Sequence, residues 1–178
     1  TTGGLSSMPK MTDAEAEQYK KVKPSTETPD VPYKVNGSTP YVRFIAANLL
    51  AGNQVMDITK FKNDGIGSTS FDDAVGEAVY QNPLILAGTY ATQVTESKGR
   101  SIGIVKLYST PDASPTSERD ELNALFKRVA SEITNDGMTP EQKAAAIDAW
   151  VCAHIDYDYD AFNASKSVEA GQMTNTER

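Results

Sequence analysis

The sequence is poor in the side chains that build disulfides and zinc sites, because its 178 residues include one cysteine and one histidine. A single cysteine cannot form a disulfide within the chain, and these two residues fall short of the four ligands of a structural zinc site. No apolar run approaches the roughly 18 residues that a membrane span needs. The N-terminal residues also lack the charged and apolar parts of a signal peptide. We therefore expect no cofactor, no metal and no membrane insertion.

Basic residues are also few. Seventeen Lys and Arg stand against 24 Asp and Glu, which gives a formal net charge of −7. A nucleic-acid-binding domain presents a clustered basic face, and docking to an anionic membrane needs a polybasic segment. The charge balance therefore predicts that nucleic acid is not a partner.

The composition fits one medium domain or two small ones, with 39% hydrophobic and 23% charged residues. We predict a polar, proline-rich tail or linker at residues 1–38, an N-terminal α+β domain at residues 39–112 and a helical segment at residues 113–178. Within the tail, Thr12 and Glu15 have the capping-box spacing of a short helix. The prolines that follow favour an extended linker that buries too little surface to fold.

The middle segment alternates helical and strand patterns, which predicts helices packed on a small antiparallel sheet. A helix begins at Thr39 and Pro40, and its apolar stripe repeats at helical spacing. A short strand follows around residues 55–58, then a helix that starts at Ser70 and stops at Asn82, before a proline. Residues 84–96 and 101–109 predict a β-hairpin with apolar residues on both sides, so that both faces of the sheet should be covered.

The last segment predicts two helices. Leu122, Leu125, Phe126, Val129 and Ile133 form the stripe of the first one. The second begins at Thr139 and Pro140, where Gln142 completes a capping box. We expect Ile147, Trp150 and Val151 to form its buried face.

Cys152 and His154 raise the possibility of a thiol dyad, because a nearby imidazole lowers the pKa of a thiol. Both lie in one predicted helix, two positions apart, and two steps of about 100° put them on nearly opposite faces. We therefore interpret Cys152 as a half-buried small side chain and His154 as a helix-end cation.

Asp156, Asp158 and Asp160 alternate like the start of an EF-hand loop. That loop needs Gly at its sixth position and Glu at its twelfth, where this chain has Ala161 and Ser167. We instead expect an extended stretch with Tyr157 and Tyr159 turned to one side.

Residues 129–158 resemble the opening of bacterial transglutaminase-like domains, in the papain-related superfamily of surface and secreted proteins. The matching features are the capped helix at Thr139, Trp150 and the pair Tyr157-Asp158. Upstream, Met56-Asp57-Ile58, the Asn82-Pro83 stop and the hairpin resemble the extension found before that core, so that the likeness covers residues 50–160. The resemblance implies a Cys-His-Asp enzyme that hydrolyses or transamidates protein or peptide amides.

The chain departs from the family pattern at the positions that carry the catalytic chemistry. It has Asp148-Ala149 where the family has His-Asp, and the nucleophile motif G-V-C-x-G does not occur. Cys152 lies in the preceding helix, so no catalytic residue is carried over and none is predicted. We expect residues 113–178 to be the incomplete start of the core, inactive by itself, with the rest of the parent chain or a second chain as partner.

Two alternatives remain open. The chain can be a non-enzymatic surface module for binding or spacing, and a proline-rich tether would suit such a module. Residues 39–110 can also act as a regulatory cover over the catalytic cleft of the parent. The resemblance implies a secreted or cell-surface location in each case.

Overall fold

A computed structural model describes residues 11–63, 69–87, 89–108, 115–160 and 163 of the protein. The elements are α1 (Asp13–Tyr19), α2 (Pro40–Leu50), β1 (Val55–Asp57), α3 (Thr59–Asn63), α4 (Phe71–Gln81), β2 (Thr89–Ser97), β3 (Arg100–Tyr108), α5 (Pro115–Ile133) and α6 (Pro140–His154). Helices pack on a small antiparallel sheet, which confirms the predicted α+β class.

The chain divides into two compact units, Thr1–Ala124 and Leu125–Arg178, called here the first and second unit. Helix α5 contains the division. The boundary predicted between residues 112 and 113 lies outside the described residues, as do residues 1–10 of the predicted tail.

The sheet has the strand order β1-β3-β2, and both pairings are antiparallel. Lys98 and Gly99 join β2 to β3 with φ of 50° and 75°, the positive values of a tight type I′ hairpin turn. The predicted hairpin is therefore confirmed. Its predicted start at residue 84 is wrong, because Pro83–Ile85 form a 3₁₀ turn and β2 begins at Thr89. Proline has no backbone N–H to donate to a strand, which favours the turn.

Helices α2 and α4 cover one face of the sheet. As predicted, Thr39 caps α2 by accepting a hydrogen bond from the Val42 N–H at 3.2 Å, with Pro40 in the first helical position. The cluster between helices and sheet contains the largest fully buried side chains: Phe44, Ile45, Leu49, Met56, Ile85, Val42, Val75, Val105 and Asn48. Burying each large apolar side chain contributes about 1.5–3 kcal/mol, so this cluster supplies the main stabilisation of the first unit.

A glycine brings the sheet and α4 together. A Cβ atom at Gly103 of β3 would lie 2.5 Å from Cζ of Phe71, the first residue of α4. No other residue type fits that space without moving the aromatic ring.

The opposite face of the sheet, the second face, is covered in part by α1. The Lys106 ammonium of β3 pairs with the Glu15 carboxylate of α1. The Tyr19 hydroxyl donates a hydrogen bond to Gln54 Oε1 at 2.8 Å. The expectation that both faces are covered is thus met around α1, whereas a cleft remains open nearer the hairpin turn.

The segment between α1 and α2 is packed, where the sequence predicted a free linker. The Ser25 N–H donates to the Val55 carbonyl, and Ser25 forms a bridge with Met56 of β1. Val31, Tyr33 and Val35 pack against the buried cluster. Their alternating spacing lets an otherwise polar segment bury one side without forming a helix or strand.

In the second unit, α6 has no buried residue. The predicted buried face is therefore wrong: Ile147 and Val151 are exposed, and Trp150 is only partly buried. Its capping is as predicted, since Thr139 and Gln142 exchange both hydrogen bonds of a capping box.

Candidate functional surface

Cys152 and His154 lie in the same helix, α6, as predicted. Cys152 is exposed, so its expected half-buried position is wrong. His154 Nδ1 lies 2.8 Å from the Trp150 carbonyl oxygen, which can only accept, so this nitrogen carries the proton. The imidazole also stacks on the Trp150 ring, with centroids 4.5 Å apart and planes 10° from parallel. The described contacts therefore give His154 a local partner one turn away and show no contact between it and Cys152.

The three aspartates after α6 also form no evident metal site. Among the described residues, no group of three or more His, Cys, Asp or Glu side chains is arranged to hold an ion. Ala161 and Ser167 lie outside the described residues. The ring centroids of Tyr157 and Tyr159 lie 4.9 Å apart, edge to face, as expected for two side chains on one side. The predicted extended stretch is wrong at its end, because Tyr159 and Asp160 are helical.

Helix α6 and its C-terminal end carry exposed apolar side chains. Ile147, Val151 and Ile155 follow one another at four-residue intervals, so they lie on one side of the helix and its end. We call them the α6 apolar stripe. Ile147 is 47% exposed and Ile155 is 61% exposed. Contiguous apolar surface of this kind is typical of interaction sites.

The first unit has a cleft of about 400 Å³ on the second face. Its floor includes Val55, Ile102 and Ile104. At its rim Arg100 pairs with Asp57 at 2.6 Å. Burial opposes the charge of Asp57, but hydrogen bonds from Thr59 and Arg100 lower the pKa of this carboxyl. The cleft therefore combines an apolar floor with a rim at which the charge of Arg100 is paired with Asp57.

Sequence reasoning missed Arg119, a buried cation of α5. Its guanidinium donates to the Leu84 carbonyl at 2.8 Å, to the Leu50 carbonyl at 3.0 Å and to the Ile85 carbonyl at 3.5 Å. It thus satisfies carbonyls at the C-terminal ends of α2 and the 3₁₀ turn, where a cation is favoured. The local sequence Glu118-Arg119-Asp120-Glu121 is typical of a solvent-exposed stretch. Only the spacing of three residues between Arg119 and Leu122 indicated that Arg119 lies on the inward side of the helix.

None of the described helices combines the length and apolar content that crossing a bilayer requires. Within the described part of the chain, both the α6 apolar stripe and the second-face cleft have features of binding sites. No protein-family model, curated protein or solved structure matches this chain.

Proposed function

We propose that the chain is the leading part of a secreted or cell-surface transglutaminase-like protein, and that α6 is the first helix of its core. The parent would hydrolyse or transamidate protein or peptide amides through a Cys-His-Asp triad that this chain does not supply. The observation that carries the proposal is the exposed α6 apolar stripe.

The stripe supports an incomplete core for an energetic reason. A helix of 15 residues is marginally stable in water unless an apolar face packs on something. The caps at Thr139 and Pro140 define where α6 starts, but they contribute only about 1 kcal/mol. Covering three large apolar side chains contributes several kcal/mol at about 1.5–3 kcal/mol each. The partner is the remainder of the parent chain or a second chain that completes the core.

The same proposal assigns no catalytic role to the residues of this chain. Nucleophilic catalysis needs a thiol, a base and an orienting group within hydrogen-bond reach. His154 instead bonds and stacks on Trp150, and Cys152 lies on an exposed helix outside the family's nucleophile motif. The first unit then serves as a folded leading domain.

The test compares this chain with the protein encoded by its whole open reading frame. Each is assayed for hydrolysis and transamidation of glutamine-containing peptides. We expect activity only in the longer protein, and Cys152→Ser should leave that activity unchanged. Activity of the 178-residue chain, or its loss from the longer protein with Cys152→Ser, would overturn the assignment. Inactivity of both would favour the binding or spacer module instead.

A further inference from the structure

In the sheet formed by the described residues, β2 is an edge strand. The Val105 N–H donates to the Gln54 carbonyl and the Ile58 N–H donates to the Ser101 carbonyl, so odd-numbered residues of β3 direct their backbone groups toward β1. Even-numbered residues of β3 therefore bond β2, where they oppose odd-numbered residues. Tyr90, Thr92, Val94 and Glu96 are left with N–H and C=O groups that point away from the sheet. No backbone partner for these groups is found in the described part of the chain.

This edge lacks the features that usually prevent a strand from pairing with another chain. Those features are a bulge, a proline, inward charges or a very short strand. β2 is nine residues long, and its register with β3 is continuous from Thr89 to Ser97. Its sequence contains no proline and a single charged residue, Glu96.

The other edge of the same sheet, strand β1, is covered by backbone hydrogen bonds from another segment of the chain. On β1, the Ser25 N–H donates to the Val55 carbonyl at 2.9 Å, and the Asp57 N–H donates to the Ser25 carbonyl at 2.8 Å. The residues that the structure describes thus close the edge of the three-residue strand and leave the edge of the nine-residue strand open.

Apolar and unsatisfied polar groups accompany the open edge. Val94 is 40% exposed. Tyr80, on the neighbouring helix α4, is 88% exposed. Burial, with the nearby charge of Asp72, raises the pKa of Tyr90. Gln93 Oε1 is buried without a hydrogen-bond partner among the described residues. A buried amide oxygen without a donor is unfavourable.

We propose that a second copy of this chain pairs antiparallel with β2, around a two-fold axis at Gln93, to give a continuous six-stranded sheet. The two Gln93 residues then face each other as a non-hydrogen-bonded pair, in which opposite side chains are closest. Thr92 opposes Val94, and Tyr90 opposes Glu96 of the other copy. This register opposes no two like charges, which is the reason for a second copy as the occupant.

Association in solution is the first test, by sedimentation velocity on the full chain over a range of concentrations. We expect a reversible dimer. Val94→Lys should weaken it about tenfold or more, because lysine on an edge strand disfavours pairing. The matched control is Val22→Lys, since Val22 is 49% exposed and lies on the second face rather than at the edge. A monomer at all concentrations, or equal effects of both substitutions, would overturn the proposal. An extended peptide that binds a monomeric chain would then be the better occupant.

The register is tested by disulfide formation in a Cys152→Ser background. Gln93→Cys should cross-link two copies on mild oxidation, because Cα atoms of a non-hydrogen-bonded pair lie about 4.5 Å apart, within disulfide range. Thr95→Cys is the control, since the two Thr95 positions are separated by about 13 Å along the strands. Cross-linking of Thr95→Cys as fast as that of Gln93→Cys would contradict the register.

Discussion

The side-chain amide of Asn82 pairs with both the backbone N–H and the backbone C=O of Asn36, as a residue of a neighbouring β-strand would. The Asn36 N–H donates to Asn82 Oδ1 at 2.8 Å, and Asn82 Nδ2 donates to the Asn36 carbonyl at 2.9 Å. The same Nδ2 also donates to the Ala78 carbonyl at 2.7 Å, at the end of α4. One buried amide therefore ties the segment before α2 to the C-terminal end of α4.

Asn82→Ala should destabilise the first unit by about 1–3 kcal/mol, because it leaves buried backbone groups without partners. Urea unfolding followed by far-ultraviolet circular dichroism measures this loss. Asn36→Ala is the matched control, since the Asn82 amide binds only the Asn36 backbone. It loses one hydrogen bond, from Asn36 Nδ2 to the Gln81 carbonyl at 3.2 Å, and should cost much less. Equal costs would contradict the importance of the Asn82 amide.

Arg119→Met should lower the free energy of unfolding by about 1–3 kcal/mol. Methionine fills a similar volume, but the carbonyls of Leu50 and Leu84 lose their donor. Arg119→Lys should not restore stability fully, since an ammonium cannot reproduce the planar fork of a guanidinium. The control is Arg128→Met, which removes only an exposed 3.6 Å pair with Glu132 and should change stability by about 0.5 kcal/mol or less. A loss at Arg128 equal to that at Arg119 would refute this expectation.

The attachment of α1 should weaken in acid. A hydrogen bond from Lys106, with further bonds from the Thr12 N–H and hydroxyl, lowers the pKa of Glu15 from 4.5 to about 2. A carboxyl with a lowered folded-state pKa stabilises the fold above its unfolded pKa, and this contribution is lost as the pH falls from about 4.5 toward 2. Side-chain NMR titration of Glu15 measures the value directly. Lys106→Met should raise this pKa more than Thr12→Ala does, and the opposite order would contradict the assigned causes.

The α6 apolar stripe should tolerate truncation in this chain. Ile147→Ala removes an exposed side chain. In thermal unfolding experiments it should change the free energy of unfolding of the second unit by about 0.5 kcal/mol or less. Ile45→Ala, in the buried cluster, should cost the first unit about 2–5 kcal/mol. In a parent protein that covers the stripe, the cost at Ile147 should rise toward the buried value. A large cost at Ile147 in the isolated chain would show that the stripe is already packed.

Local patterns predicted those parts of the fold that depend on neighbouring residues. Thr39 and Pro40 mark the start of α2, and the alternation around Gly99 marks the hairpin, because caps and turns use side chains close in sequence. Asn82 and Arg119 gave no such signal. Asn82 binds the backbone of Asn36, 46 residues away, and Arg119 binds backbone carbonyls 34, 35 and 69 residues away. Backbone partners leave no trace in the partner's residue type.

For the candidate surfaces, too, the sequence predicted local features but not long-range packing. The periodicity of Ile147 and Val151 correctly gave one side of a helix, but a period cannot tell whether another element covers that side. The open edge of β2 was likewise hidden, since alternation predicts a strand and not its position in a sheet.

The stacked pair of Trp150 and His154 makes the two halves of the molecule optically distinct. The only tryptophan lies in the second unit, whereas the buried cluster of the first unit contains tyrosine and phenylalanine. Indole emission therefore reports on α6 alone, while the circular dichroism signal sums over both units. Denaturation curves from the two signals need not coincide, and their separation measures the independence of the two units without any added label.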